Sequence, residues 1–212
     1  FYFQILKLNK IKVASIGTLG IEGVNIRNKS SNTTFDTIQL NKILQKLKEK
    51  KIENVILEAS SHGLNQNRLD GLKFDVGIFT NLSRDHLDYH KSYKNYFNSK
   101  LILFKKLLKT KSYAIFDKVL KTSSKLNRIA ELKKLKKFTI GYNKSSFTIL
   151  DHQFLKSEQK ILFRFENKEY YFSTRLIGSV QIKNLLMAIM AAMKSKISLE
   201  KILKITHKIK PV

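Results

Sequence analysis

Apolar positions along the chain fall into two kinds of run. Residues 11–18 (IKVASIGT), 54–58 (NVILE) and 74–79 (FDVGIF) are short, nearly continuous apolar stretches bounded by polar or glycine-containing segments, the pattern of strands buried on both faces. Between the first two, Ile38, Leu40, Ile43, Leu44 and Leu47 recur at helical spacing, with Asp36 or Thr37 placed to cap that helix. Residues 1–8 have the pattern of the end of an amphipathic helix. Residues 19–35, with Gly20, Gly23 and a polar run over 29–34, are expected to be irregular.

Further along, a helix is expected over about 91–108, a strand at 112–116, a helix at about 117–128 and a strand at 138–140. Strands alternating with helices specify an α/β fold, a mainly parallel sheet with helices on both faces. From 146 to 176 the pattern changes to period two, which predicts a small antiparallel β portion packed beside that sheet. Two helices, at 180–194 and 198–208, close the chain. Residues 1–212 are expected to form one domain, with enough length for a sizeable core.

Composition changes this picture little. The longest apolar runs are far shorter than the roughly 20 residues a membrane span needs, and no basic segment precedes the apolar residues at the start. Cysteine is absent, which excludes disulfides and thiolate metal sites and fits a cytoplasmic protein. The net charge of +25 invites a nucleic-acid partner, but only six of the 41 basic residues are arginine, and the lysines are spread along the whole chain. Phosphate-clamping and base-reading surfaces favour arginine. With asparagine and isoleucine also abundant, the bias fits AT-rich coding better than a binding stripe, so no nucleic acid is expected.

In open parallel sheets, ligands bind beyond the carboxyl ends of the strands. Here those ends carry Glu58 followed by ASSHG, and Thr80 and Asn81 followed by LSRDH, while the first strand leads into Gly17 and Thr18. Glu58 and His86 suit a hard divalent cation at this edge, although either residue type also serves as a cap or salt-bridge partner. His62, His90, His152 and His207 have no supporting neighbours in the sequence and are expected to be surface or structural. Lys100 lies in phase with the apolar stripe of its helix, three beyond Phe97 and four before Phe104. Either it snorkels from the stripe's edge, or it faces inward with its amine pKa lowered by desolvation. In the second case the neutral amine can react with CO₂, and the carbamate so formed is an anionic oxygen donor beside Glu58 and His86.

Residues 58–71, EASSHGLNQNRLDG, resemble the E-(V/A)-S-S-H-(G/A)-L-x-x-x-R segment of the Mur ligase family, and residues 79–90, FTNLSRDHLDYH, resemble its FTNLxxDHLDYH segment. Lys100 stands where that family carries a carbamylated lysine, and Asn32, Thr33 and Thr34 resemble the NTT of its substrate loop. The wording is closest to the branch that adds the third residue of the peptidoglycan stem peptide.

The resemblance implies the family's central, P-loop-NTPase-like domain and an ADP-forming amide ligase. Its substrates would be ATP, UDP-MurNAc-L-Ala-D-Glu and a diamino acid, with meso-2,6-diaminopimelate favoured over lysine, and its state monomeric. Asn32, Thr33, Thr34, Ser60, Gln66 and Arg68 would contact the nucleotide-peptide substrate. Glu58, His86 and carbamylated Lys100 would position Mg²⁺ and carry catalysis, and Asn81 and Asn184 would lie on the ATP side.

Two departures stand out. GSVQIKNLLMA at 178–188 keeps Asn184 of the family's G-x-(F/H)-N-x-x-N-x-x-A segment, but has Val180 and Gln181 where an aromatic and an asparagine are usual. The family's N-A-D-D is represented only by Asp117 within Ile115-Phe116-Asp117-Lys118. No G-x-x-x-x-G-K-(S/T) loop occurs in these residues. In the family it precedes the helix corresponding to 1–8, so the chain is expected to be a fragment truncated there, lacking the uridine-nucleotide and amino-acid domains and inactive alone. Folylpolyglutamate-type ligases share the fold and the lysine, but the SSHG and NTT segments speak against them. A basic nucleic-acid-binding module is the remaining alternative.

Overall fold

A computed structural model describes residues 1–26 and 32–211. Residues 29–31 of the polar run lie outside the described residues. Helix α1 (Tyr2–Leu8) feeds strand β1 (Val13–Gly17), which pairs in parallel with β3 (Asn54–Leu57). Between them, α2 (Thr37–Glu49) starts where Asp36 accepts a hydrogen bond from the Gln39 amide at 2.9 Å, and it buries Leu40, Ile43 and Leu47. The segment expected to be irregular contains a short strand, β2 (Gly20–Glu22), paired antiparallel with β1. Its three residues are too few to show alternation, and only the β1 edge creates it.

After β3 come α3 (Ser61–Asn65) and β4 (Phe74–Phe79). In place of the single helix expected over about 91–108, the chain forms a short helix ahead of that range, α4 (Leu87–His90), then α5 (Tyr93–Ile102) and a π-helical turn, Leu103–Leu107. Lys91 in a left-handed conformation separates the first two, and Ser92 caps α5 through the Asn95 amide. Strand β5 (Leu108–Asp117) is longer than its apolar core, and α6 (Ser123–Leu132) begins six residues later than the sequence pattern implied. Strand β6 (Lys136–Gly141) follows, then β7 (Phe147–Phe154), β8 (Gln159–Phe165) and β9 (Lys168–Thr174). Helices α7 (Ser179–Met193) and α8 (Leu199–Leu203) and a 3₁₀ turn at Thr206–Lys208 complete the fold.

The strands form two sheets, β2-β1-β3 and β4-β5-β6-β7-β8-β9. The expectation of a parallel α/β sheet with an antiparallel portion holds, with two corrections. The antiparallel strands do not pack beside the main sheet: β7 pairs in parallel with β6 and carries β8 and β9 onto the same sheet. The parallel strands do not make one sheet either, because no ladder joins β3 to β4. Helix α7 is buried on nearly every side, and α1 and the inner faces of β5–β9 pack around it. A second core lies under α2 and α3 and a third between β4, β5, α5 and α6. Among the described residues no helix is long and apolar enough to cross a membrane.

Candidate active site at the sheet edge

Strands β1, β3 and β4 deliver their last residues to one cleft of about 1230 Å³, whose lining includes Thr18, Thr33, Glu58, Ser60, Asn81, His86 and Lys100. Glu58 is fixed before any ligand arrives. Its Oε2 accepts from the Thr18 amide and from the Thr18 hydroxyl, each at 2.9 Å. The Thr18 hydroxyl is in turn 3.2 Å from that of Thr33. With both bonds on Oε2, Oε1 is the oxygen left to meet a cation.

Of the residues expected to contact substrate, Thr34, Ser60, Gln66 and Arg68 form a connected network. Thr34 is buried, and its hydroxyl donates to the Glu58 carbonyl at 2.8 Å, accepts from the Ser60 amide at 2.9 Å and lies 3.0 Å from the Ser60 hydroxyl. Ser60 caps α3 by accepting from the Gly63 amide at 3.0 Å. A side chain at Gly63 would stand 2.6 Å from Thr34 Cβ, so glycine there lets α3 sit on the threonine. Arg68 donates to the Thr34 carbonyl at 2.7 Å and to Gln66 Oε1 at 2.9 Å, and Gln66 donates to the Tyr89 hydroxyl at 3.1 Å. Arg68 thus braces the loop bearing Asn32, Thr33 and Thr34. Asn32 itself is exposed.

Lys100 faces the cleft, its Nζ 5.2 Å from the centroid of the Tyr96 ring. Desolvation pushes its pKa below the ordinary lysine value, and the negative charges of Asp85 and Glu58 oppose that shift without cancelling it. Among the described residues it makes no ion pair within 4 Å. His86 adopts a left-handed backbone conformation, its amide bonded to the Asp85 carboxylate at 2.8 Å.

Two histidines expected to be without neighbours are not. His62 packs 4.2 Å from Tyr89, 4.9 Å from His86 and 5.4 Å from His90, measured between ring centroids. His90 is 4 % exposed and lies 3.0 Å from the Ser61 hydroxyl and 3.4 Å from that of Ser99. Burial, then the neighbouring His62 and His86, push its pKa down. It ties α3, which follows Ser60, to the helix that carries Lys100. His152 is structural, 2.6 Å from Gln159 Oε1, and His207 lies on the exposed final turn.

Asn184 is not brought to this cleft. It lies on α7 beside Lys183, whose amine donates to the buried Asp117 carboxylate at 2.7 Å and lies 5.9 Å from the Tyr142 ring. That pair, at the end of β5, was not marked by sequence reasoning. Asp117 alone carried a signal, as the surviving residue of the partial N-A-D-D. Gly17, Thr18, Asp85 and Tyr96 also belong to the site. Their signal was position at strand ends or within the motif segments, with nothing in residue type to mark them.

The Mur ligase middle domain, as a family model, matches residues 3–192. A UDP-N-acetylmuramoyl-L-alanyl-D-glutamate–2,6-diaminopimelate ligase of Rickettsia bellii is 37 % identical over 99 % of this chain and 45 % of its own length. A ligase of the same name from Leptospira interrogans is 35 % identical over 94 % of this chain and 40 % of its own. A solved structure of such a ligase superposes with a TM-score of 0.88 at 25 % identity, covering all of this chain and 43 % of that one. MurF from Acinetobacter baumannii shares the fold, with a TM-score of 0.74 at 11 % identity. The chain spans less than half the length of each of these four proteins.

Proposed function

Because the chain belongs to the Mur ligase middle-domain family, we propose that it is the central, ATP-binding domain of a ligase that joins meso-2,6-diaminopimelate to UDP-MurNAc-L-Ala-D-Glu. The observation that carries this is the convergence of Glu58, His86 and Lys100 on one cleft at the carboxyl ends of the strands. The names of the diaminopimelate-adding relatives support the choice of amino acid.

The donor set fits Mg²⁺. Glu58 presents Oε1 while Thr18 holds Oε2, and His86 offers an imidazole at the same mouth. Among the described residues no third histidine or carboxylate completes a metal cluster. The third donor is Lys100, which becomes one once its amine has added CO₂. A desolvated lysine without an ion-pair partner is the form of the residue suited to that reaction.

ATP phosphorylates the side-chain carboxylate of D-Glu, releasing ADP. The amine of diaminopimelate then attacks the acyl phosphate, forming the amide and releasing phosphate and a proton. Mg²⁺, when bound, neutralises charge on the transferring phosphoryl group. The chain's own residues position the reactants. Thr33, Ser60 and the loop braced by Arg68 hold the nucleotide-peptide, while Asn81 at the cleft and Asn184 on α7 lie toward ATP. In the complete ligase, sustained ADP release over many turnovers should require both the dipeptide nucleotide and diaminopimelate, and should collapse in Glu58→Gln. Multiple-turnover ADP release unaffected by omitting diaminopimelate would sink the proposal.

A further inference from the structure

Lysines that are spread along the sequence are not spread in space. Strands β1 and β3 run parallel, as do β4, β5 and β6, and both groups start at one end: the Ser195 hydroxyl bonds the Asn54 side chain and Tyr2, and Tyr2 feels the charge of Asp75. The segments that lead into these strands, with the turn after α7, are residues 9–12, 50–53, 71–73, 105–111, 133–137 and 194–198. These 28 residues hold fifteen of the chain's 35 lysines, no arginine and one acidic residue, Glu53. All of the fifteen except Lys133 and Lys194 are exposed. The loops at the opposite, carboxyl end, 58–60, 80–86, 118–122 and 142–146, carry four basic residues against two acidic ones. The lysine-rich segments also touch one another. The Lys111 amide donates to the Lys134 carbonyl at 3.2 Å, the Asn54 amide to the Lys12 carbonyl at 3.2 Å and the Lys73 amine to the Lys106 carbonyl at 3.0 Å. Among the described residues only Lys109 and Lys137 of the fifteen form ion pairs, with Asp75 and Glu131.

The backbone repeats the bias. Lys10, Lys51 and Lys134 follow the C-caps of α1, α2 and α6 with φ of 60°, 53° and 52°, the left-handed position that glycine usually takes. Lys111 and Lys196 are left-handed too. Two large apolar side chains stand among these lysines: Leu132, 75 % exposed at the end of α6, and Leu8, 40 % exposed at the end of α1. Charge complementarity calls for an anionic partner. Base reading and phosphate clamping favour the guanidinium fork, which this face lacks. Lysine is a point charge on a flexible stem and suits a fluid layer of anionic headgroups, and an exposed leucine supplies the apolar contact that peripheral binding adds to charge. We propose that the amino-end face of the sheet docks on an anionic lipid bilayer, held by its lysines and Leu132, with the mouth of the cleft at the opposite end facing away from the lipid. This inference stands on topology and charge and does not depend on the catalytic reading.

The test floats the complete protein with vesicles of equal parts phosphatidylglycerol and phosphatidylcholine at about 0.1 M salt, where screening sets in near 10 Å. The expected partition coefficient is at least about ten-fold higher than on pure phosphatidylcholine vesicles, and about 1 M salt should remove the difference. Lys10→Gly, Lys51→Gly, Lys111→Gly and Lys134→Gly together delete four charges at positions whose backbone suits glycine, so the fold is kept. This variant should partition about ten-fold more weakly. An equal loss of charge on the loops after β5, β6 and β7, through Lys118→Gln, Lys121→Gln, Lys144→Gln and Lys156→Gln, should weaken binding less than about two-fold. Leu132→Gln alone, at an exposed site, should weaken it about three-fold. Equal partitioning onto the two vesicle types overturns the proposal, as do equal losses in the two four-fold variants. So does random-sequence duplex DNA that strips the protein from the vesicles at equal phosphate concentration, which assigns the face to nucleic acid.

Discussion

A Cβ placed on Gly17 would stand 2.6 Å from Oε2 and 2.9 Å from Cβ of Glu58, so the glycine at the end of β1 is the condition for the carboxylate's position. The backbone at Gly17 is ordinary strand, and alanine there strains no dihedral. Gly17→Ala should therefore act by pushing Glu58 off the two Thr18 hydrogen bonds. A displacement of about 1 Å at the carboxylate proposed to position Mg²⁺ is expected to cost on the order of 100-fold in ADP release by the complete ligase. The unfolding temperature should fall as well, because Glu58 Cβ, 2.9 Å from the added methyl, clears it only if the end of β3 shifts. A variant as active as the parent would show that Glu58 does not need this position.

How much of this was legible in the sequence follows from which forces set each feature. Strands β1, β3 and β4 were placed to within a residue or two because a strand covered on both faces is a nearly continuous apolar run. Helix α2 was legible from its period and from Asp36. Cleft membership of Glu58, His86 and Lys100 followed from the strand-end rule and the apolar stripe. The His62–His90 contact and the Ser61–His90–Ser99 bridge were not legible, because α3 and α4 meet only in three dimensions. The break between β3 and β4 was not legible either: a strand's own residues do not state how many neighbours it has. Gly17 illustrates the same limit, since its role exists only through a residue 41 positions away.

The Lys183–Asp117 pair sets a stability prediction. Asp117 keeps 4 % of its side chain exposed and Lys183 25 %, so removing the lysine leaves a buried carboxylate with only the Val119 amide, which donates at 2.8 Å. Lys183→Met should destabilise by roughly 2 to 3 kcal/mol, below the full loss for a wholly buried pair because Lys183 is partly hydrated. Adding Asp117→Asn should recover much of that loss by removing the unpaired charge. Denaturant unfolding of the three proteins measures this. Additive losses in the double variant would mean that the two residues are not coupled.

His90 predicts an acid limb of stability. Its folded pKa is lowered, so below the ordinary histidine value of about 6.5 the unfolded chain takes up a proton that the folded protein resists. Its contribution is complete above that value and is lost as pH falls toward the folded pKa. His90→Gln, which keeps polar atoms for Ser61 and Ser99, should be less stable at pH 8 but show a shallower decline between pH 7 and 5. Equal slopes in the two proteins would assign the acid limb to other groups.

Lys100 gives the opposite-facing test. Its lowered pKa means that the folded state binds a proton there less readily than the unfolded state, so its charge costs stability at neutral pH and the cost shrinks as pH rises toward the ordinary lysine range. Lys100→Met should stabilise the chain at pH 7, and the gain should diminish by pH 10. The same substitution should abolish ADP release by the complete ligase, separating the residue's chemical role from its structural cost. With ¹³C-labelled bicarbonate, the parent should show a carbamate resonance that Lys100→Met lacks. Identical carbonyl spectra for the two proteins, with Mg²⁺ and nucleotide present, would leave Lys100 an ordinary buried amine. The third metal donor would then have to come from elsewhere in the ligase.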